Sequence, residues 1–263
     1  MARSPLVDAL EVRKLAALED THWWYSERRR RLARDVRDLE CGVALDVGAA
    51  GGGNTRVLRR LGWRACALEY GAAGATVAAE RGLHVVRGDA TALPVRTESL
   101  DLIVAYDVLE HILADVDAAE EAFRALRPGG TFLVAVPCDP KLWSAHDEAV
   151  AHVRRYTRRS LTALLTGAGF TLESMSSWNV LLRPVVALRR RSSTASDLVQ
   201  LPHITNAVLR GIIAVERYLP LGRIPGVTLF ATARRPPLFV HRDAATAVAA
   251  SRAVSSAESY ATK

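Results

Sequence analysis

Apolar positions in this chain fall into short, nearly unbroken runs separated by charged or glycine-rich stretches. Val43 to Val47 (V-A-L-D-V), Ala65 to Glu69, His84 to Arg87, Leu100 to Tyr106 (L-D-L-I-V-A-Y) and Thr131 to Val136 read as strands of a buried sheet. Ahead of them, residues 6–18 and 21–39 read as helices. The second places Tyr25, Leu32, Val36 and Leu39 on one stripe and Glu27, Arg30 and Arg34 on the opposite, mainly basic face. Thr157 to Thr166 is a helix with Leu161, Leu164 and Leu165 patterned for burial, and Gly167 to Phe170 ends it and starts a sixth strand. A long insertion, Val180 to Ile224, carries an amphipathic helix capped from Thr205, and a seventh strand follows at Gly226 to Arg234. The alternation predicts an α/β architecture with three parts: N-terminal helices over 1–40, one domain over 41–235, and a tail over 236–263. That tail, Pro-Pro and then alanine, serine and threonine, holds little that can bury a core and is expected to be disordered.

The chain has 263 residues, of which 49% are hydrophobic, enough for one packed α/β domain with additions. Arg210 and Glu216 interrupt the best candidate for a membrane span. The opening M-A-R-S-P-L-V-D lacks the apolar core of a signal peptide, so a cytoplasmic location is expected. Cys41, Cys66 and Cys138 form no C-x-x-C pair and indicate neither a zinc site nor a disulfide framework. The net charge of +7 favours an anionic partner: RNA, a phosphorylated metabolite or an anionic membrane surface.

The chemistry begins at Val43 to Thr55, where a strand meets Asp46 and then G-A-A-G-G-G before a helix. Such a turn brings backbone N–H groups close to a nucleotide-like ligand. Gly48, Gly51 to Gly53 and Glu69 are equally compatible with a dinucleotide. Asp46 shifts the balance, because a carboxylate there favours a ligand that is cationic at that point, as S-adenosylmethionine is with its ammonium and sulfonium.

Further landmarks follow in order: the acid Glu69, then Gly88-Asp89-Ala90, then Asp107 to His111 (D-V-L-E-H), then Arg127-Pro128-Gly129-Gly130. Over roughly residues 40–137 the chain resembles a class I S-adenosylmethionine-dependent methyltransferase. The resemblance implies a Rossmann-like seven-stranded sheet, mostly parallel with the last strand antiparallel, N-terminal lid helices, and a helical insertion between strands 6 and 7 over about 180–224. It also implies S-adenosylmethionine as cofactor, with Asp46, Gly48, Ala50 and Gly52 at its methionine part, Glu69 accepting the ribose hydroxyls, Asp89 and the Ala90 N–H reading adenine, and Asp107 beside them. Ala50 departs from the middle glycine of many relatives. In isolation Asp89 would be a turn residue and Asp107 a helix cap.

His22, Trp23, Trp24 and Tyr25 are candidates for the lid over the site, against simple packing of the helix on the sheet. Adjacent tryptophans point about 100° apart on a helix, so the two are not expected to share one core contact. Past the fifth strand, His146, Asp147, His152, Arg154, Arg155 and Tyr156 form a second constellation, H-D-x-x-x-x-H-x-R-R-Y. It resembles a pattern of a bacterial methyltransferase subgroup that also bears H-W-W near its N-terminus. The spacing of His146, Asp147 and His152 fits no common helix-borne metal motif, and no metal is expected. Methyl transfer to a hydroxyl needs a base, for which His152, His146, His111 and Tyr156 are candidates, while Arg154 and Arg155 could hold an acceptor anion. The expected function is methylation of a small-molecule acceptor, anionic or lipid-like, at a hydroxyl oxygen, in specialised or cell-envelope metabolism. Alternatives are N- or C-methylation of a small molecule, peptide or lipid-like acceptor, an RNA-modifying or RNA-binding protein, and a cofactor-binding scaffold without catalysis. Nucleic acid is disfavoured by the absence of an N-P-P-Y-type tetrapeptide and of an appended RNA-binding module. The apolar and basic insertion leaves peripheral membrane contact open.

Overall fold

The computed structural model describes residues 9–192 and 201–237. Its centre is a seven-stranded sheet in the order β3-β2-β1-β4-β5-β7-β6. The strands are β1 (Val43–Val47), β2 (Arg64–Glu69), β3 (Val85–Arg87), β4 (Leu100–Tyr106), β5 (Leu126–Pro137), β6 (Thr171–Trp178) and β7 (Thr228–Arg234). The first five pair in parallel, and β7 runs antiparallel to both β5 and β6. This is the Rossmann-like topology that the strand pattern and the resemblance predict.

Helices cover both faces: α1 (Ala9–Glu19), α2 (Trp23–Asp35), α3 (Gly53–Arg60), α4 (Ala72–Glu80), α5 (Asp115–Ala125), α6 (Ala145–Ala149), α7 (Arg158–Gly167), α8 (Arg183–Ser192) and α9 (His203–Glu216). Double coverage explains why the central strands lack polar alternation. On β4, Ile103 and Ala105 join a core with Leu45, Phe132, Leu161 and the α5 alanines. Their neighbours Leu102 and Val104 join a second core with Trp23, Leu32 and Leu58 on the opposite face. Successive strand residues point to opposite faces, so both sets are buried, each large side chain contributing about 1.5–3 kcal/mol.

Several boundaries differ from the sequence expectation. β5 starts at Leu126 rather than Thr131, so the Arg127-Pro128-Gly129-Gly130 turn lies inside the strand, beside a register shift opposite Leu100 and Leu102. α2 ends at Asp35, and α9 begins at His203, with Pro202 rather than Thr205 near its cap. Glu27, assigned to the solvent face of α2, is buried and pairs with Arg30 at 2.5 Å and Arg217 at 3.0 Å. The insertion packs there: α9 lies against α2, with the Asn206 side chain accepting from the Trp23 N–H at 2.8 Å and donating to the Thr21 carbonyl at 2.9 Å. Among the described residues, no helix is long and apolar enough to cross a membrane. The expected tail lies outside the described residues beyond Pro237.

Candidate functional site

Because β1 to β5 are parallel, the loops after them line one edge of the sheet, where open α/β folds place ligands. In sheet order this edge carries Asp89 after β3, Glu69 closing β2, the Gly48–Gly52 turn after β1, Asp107 to His111 after β4, and the segment from Cys138 to Tyr156 after β5.

The turn depends on glycine at two points. Gly48 and Gly52 have φ of 65° and 81°, and a Cβ on Gly52 would stand 2.1 Å from Leu83 Cδ1. Ala50 is also left-handed, with φ 45°. Glu69 ties the turn down: its Oε2 accepts from the Ala50 N–H at 2.7 Å and its Oε1 from the Gly71 N–H at 2.9 Å. Each oxygen keeps a second lone pair, so the carboxylate can still accept ribose hydroxyls. Asp46 is buried. Its Oδ2 accepts from the Thr55 N–H at 2.9 Å and the Thr55 hydroxyl at 2.6 Å, while its Oδ1 has no partner. Burial pushes its pKa up to about 7 against those two bonds. An orphaned, buried carboxylate oxygen beside a glycine turn fits the cationic end of S-adenosylmethionine. Asp89 is exposed, and its Oδ1 accepts from the Thr91 N–H at 2.9 Å and hydroxyl at 2.8 Å, a turn that fixes the carboxylate beside the half-buried Ala90.

The N-terminal helices cover part of this edge. Glu19 of α1 sits against Gly53, and Arg81 holds it at 2.7 Å while also donating to the carbonyls of Gly51 and Ala16. Burial raises the Glu19 pKa, with Arg81 opposing it. His22 caps α2, its Nδ1 accepting from the Trp24 N–H at 3.3 Å. Both Trp23 and Trp24 pack on Trp178, at ring-centroid distances of 6.1 and 4.7 Å. Their divergence on the helix does not separate them, because the Trp178 indole at the end of β6 is wide enough to meet both. Burial, and then the charges of Asp107 and Glu19, raise the Tyr25 pKa. Asp107 has φ 58° and does not cap a helix; it pairs with Arg28 at 2.7 Å, and the guanidinium is enclosed by Trp24, Tyr106, Trp178 and Phe230.

The second constellation closes around Asp147. This buried carboxylate accepts from His152 Nδ1 at 2.8 Å and Arg155 Nε at 2.8 Å through Oδ1, and from the Ser144 N–H at 3.0 Å through Oδ2. Burial alone would raise its pKa, but the hydrogen bond from His152 and the Arg155 charge outweigh it and hold it below the usual value. His152 therefore has a fixed ring, with Nε2 facing Glu110 Oε1 at 3.8 Å. His111 lies 4.8 Å from the His152 ring and His146 lies 6.3 Å from it. Burial and the neighbouring His152 lower the His111 pKa. Glu110 is fully buried, and burial followed by the Asp107 charge raises its pKa well above the carboxylate range.

The other members have different partners. Tyr156 donates its hydroxyl to Asp115 Oδ2 at 2.7 Å and Leu109 O at 3.2 Å, which pins the β4 and β5 loops together. Arg154 pairs with Asp115 at 2.5 Å and donates to Leu113 O at 2.7 Å. Arg155 is buried on Asp147 and on the Cys138 carbonyl at 3.0 Å. The two arginines thus diverge and make no common fork. Glu19, Arg28, Arg81, Glu110 and Asp115 escaped the sequence reading of the site. Only Glu110 left a signal, inside D-V-L-E-H.

A family model described as a methyltransferase domain matches residues 45–134. The chain is 30% identical over 175 residues to a probable S-adenosylmethionine-dependent methyltransferase of Mycolicibacterium smegmatis, covering 61% of this chain and 64% of that one. It is also 30% identical over 159 residues to a ubiquinone biosynthesis O-methyltransferase of a Methylobacterium species, covering 50% of this chain and 64% of the relative. The chain thus spans less than two thirds of the length of these curated relatives. Among solved structures, an S-adenosylmethionine-dependent methyltransferase from Mesorhizobium loti superposes with a TM-score of 0.58 at 16% identity, over 82% of this chain and 100% of the other.

Proposed function

We propose that this chain, which carries a class I S-adenosylmethionine-dependent methyltransferase domain, methylates a small-molecule acceptor at a hydroxyl oxygen. The observation that carries the reading is the order of groups along the sheet edge. Asp89, Glu69 and the Gly48–Gly52 turn make a cofactor half, and next to it the loops after β4 and β5 gather His111, His152, Asp147 and Glu110. When bound, the cofactor supplies an electrophilic methyl group on a sulfonium. The residues of the chain then have two tasks: to align the acceptor and exclude water, and to take the hydroxyl proton. Asp147 orients His152 and would stabilise its protonated ring, leaving Nε2 to receive that proton. The O-methyltransferase names of the relatives support oxygen as the acceptor atom. A lipid-like acceptor from cell-envelope or specialised metabolism finds support in the exposed Val185 and Leu188 on α8 and Ile204 and Val208 on α9.

Calorimetric titration of wild type and Glu69→Ala with S-adenosylmethionine, its demethylated product and NADH tests the cofactor half. Micromolar binding of the first two, lost in the variant, is expected; binding of NADH alone would sink the reading. An acceptor screen by mass spectrometry, reading a gain of one methyl group, then separates O- from N- and C-methylation.

A further inference from the structure

Three carboxylates stand after β4 and β5, the exposed Asp107 and the buried Glu110 and Asp147, and two of them are paired with arginine. Asp107 pairs with Arg28 at 2.7 Å and Asp147 with Arg155 at 2.8 Å. Glu110 has no such partner: its side chain is completely buried and neither carboxylate oxygen accepts a hydrogen bond. A buried carboxylate in that condition is costly unless something supplies charge or a proton.

The groups around it are ligand atoms. One side-chain atom each from Glu110, His111 and His152 lies within 4.8 Å of the others. Both imidazoles are held at Nδ1. His152 Nδ1 is bonded to Asp147 Oδ1 at 2.8 Å, and His111 Nδ1 meets the Ala151 carbonyl at 3.3 Å. With Nδ1 donating, each Nε2 is left with a free lone pair, and that of His152 is 3.8 Å from Glu110 Oε1. A histidine held at one nitrogen by a carboxylate or a backbone carbonyl, offering the other beside a second carboxylate, is the arrangement of metal-ligating histidines.

We propose that Glu110, His111 and His152 bind one divalent cation of the Zn²⁺, Mn²⁺, Fe²⁺ and Co²⁺ class, with Asp147 and the Ala151 carbonyl orienting the imidazoles. Two imidazoles and one carboxylate suit these ions better than Mg²⁺ or Ca²⁺, and three protein ligands leave coordination positions open. Ligand atoms around one such ion stand roughly 3 Å apart, so the three side chains close inward on binding. Arg28 and Arg155 do not oppose the cation, since Asp107 and Asp147 neutralise them. The role of the ion rests on the function proposed above: beside the cofactor half it would lower the pKa of an acceptor hydroxyl, the task otherwise left to His152 alone.

The test uses the full chain without a polyhistidine tag, stripped by chelator and titrated with Co²⁺, read by its visible absorption, and with Zn²⁺, read by calorimetry. S-adenosylmethionine binding is measured in parallel. The expected result is uptake of one ion per chain, weakened on the order of 100-fold or more in Glu110→Gln and His152→Ala and on the order of 10- to 100-fold in Asp147→Asn, with cofactor binding retained. Absence of uptake, or uptake unchanged in both ligand variants, overturns the proposal and leaves Glu110 a neutral buried acid. Thermal melts and cofactor binding identify a variant that has failed to fold, and the remaining variant then decides. Metal uptake without S-adenosylmethionine binding would sink the methyltransferase reading and leave the metal site standing; cofactor binding without metal does the reverse.

Discussion

Replacing Asp46 by asparagine isolates the effect of one buried charge at the glycine turn. The carboxyl has an ordinary pKa of 3.8, which burial pushes up to about 7 in the fold. Between those values the folded chain keeps a proton that the unfolded chain has released, so stability falls as pH rises through the window and levels off above the folded pKa. That rise in pKa corresponds to roughly 4 kcal/mol at pH 8, of which more than half is lost between pH 5 and pH 8. Asparagine cannot ionise, yet its carbonyl oxygen can still accept from the Thr55 N–H and hydroxyl that Asp46 Oδ2 now serves. Without cofactor, Asp46→Asn should therefore be more stable than wild type at pH 8, with the gap shrinking to less than half at pH 5. Urea unfolding of both proteins at pH 5, 6, 7 and 8 measures it. Glu110, whose pKa burial also raises, slopes both curves alike and cancels in the difference, whereas Glu19, whose charge helps to raise the Asp46 pKa, belongs to the measured effect. Parallel curves would refute the reasoning. On the proposed reading Asp46 faces the cationic end of S-adenosylmethionine, so wild-type affinity for it should tighten from pH 6 to pH 8, and the variant should lose on the order of tenfold at pH 8.

Two further changes probe the frame around the site. Gly52→Ala puts a methyl group where φ is 81° and Leu83 Cδ1 is 2.1 Å away, and should lower stability by about 1–3 kcal/mol in urea titrations along with cofactor affinity. Tyr156→Phe leaves Asp115 Oδ2 and Leu109 O without their donor and should cost about 1–3 kcal/mol, while calorimetry shows S-adenosylmethionine affinity unchanged.

The layout of the proposed cofactor half was readable from sequence because its parts are local. A strand, an acid and a glycine turn occupy consecutive positions, and parallel pairing alone brings Asp89, Glu69 and Gly48 to one edge. The acceptor half depends on tertiary contacts. Nothing in the spacing of Asp147 and His152 brings them together, since five residues do not repeat on a helix. They meet because α6 stops at Ala149 and Ala151, with φ 57°, turns the chain back. Glu110 stood in view within D-V-L-E-H, but its isolation in the interior becomes visible only when Arg28 and Arg155 are seen to serve other carboxylates. The argument about the tryptophan pair failed for a similar reason: helical geometry sets where Trp23 and Trp24 point, while the size of Trp178, about 150 residues later, decides what they meet.

The clamp between α2 and α9 carries a kinetic implication. Asn206 grips the start of α2 from both sides, and Arg217 reaches Glu27 one turn further along, so α2 and the helix of the insertion form one body. Displacing α2 to admit one ligand drags α9 with it. On the proposed function, donor and acceptor would then not enter independently, and turnover should follow a compulsory order, with the second ligand entering a cleft already shaped by the first.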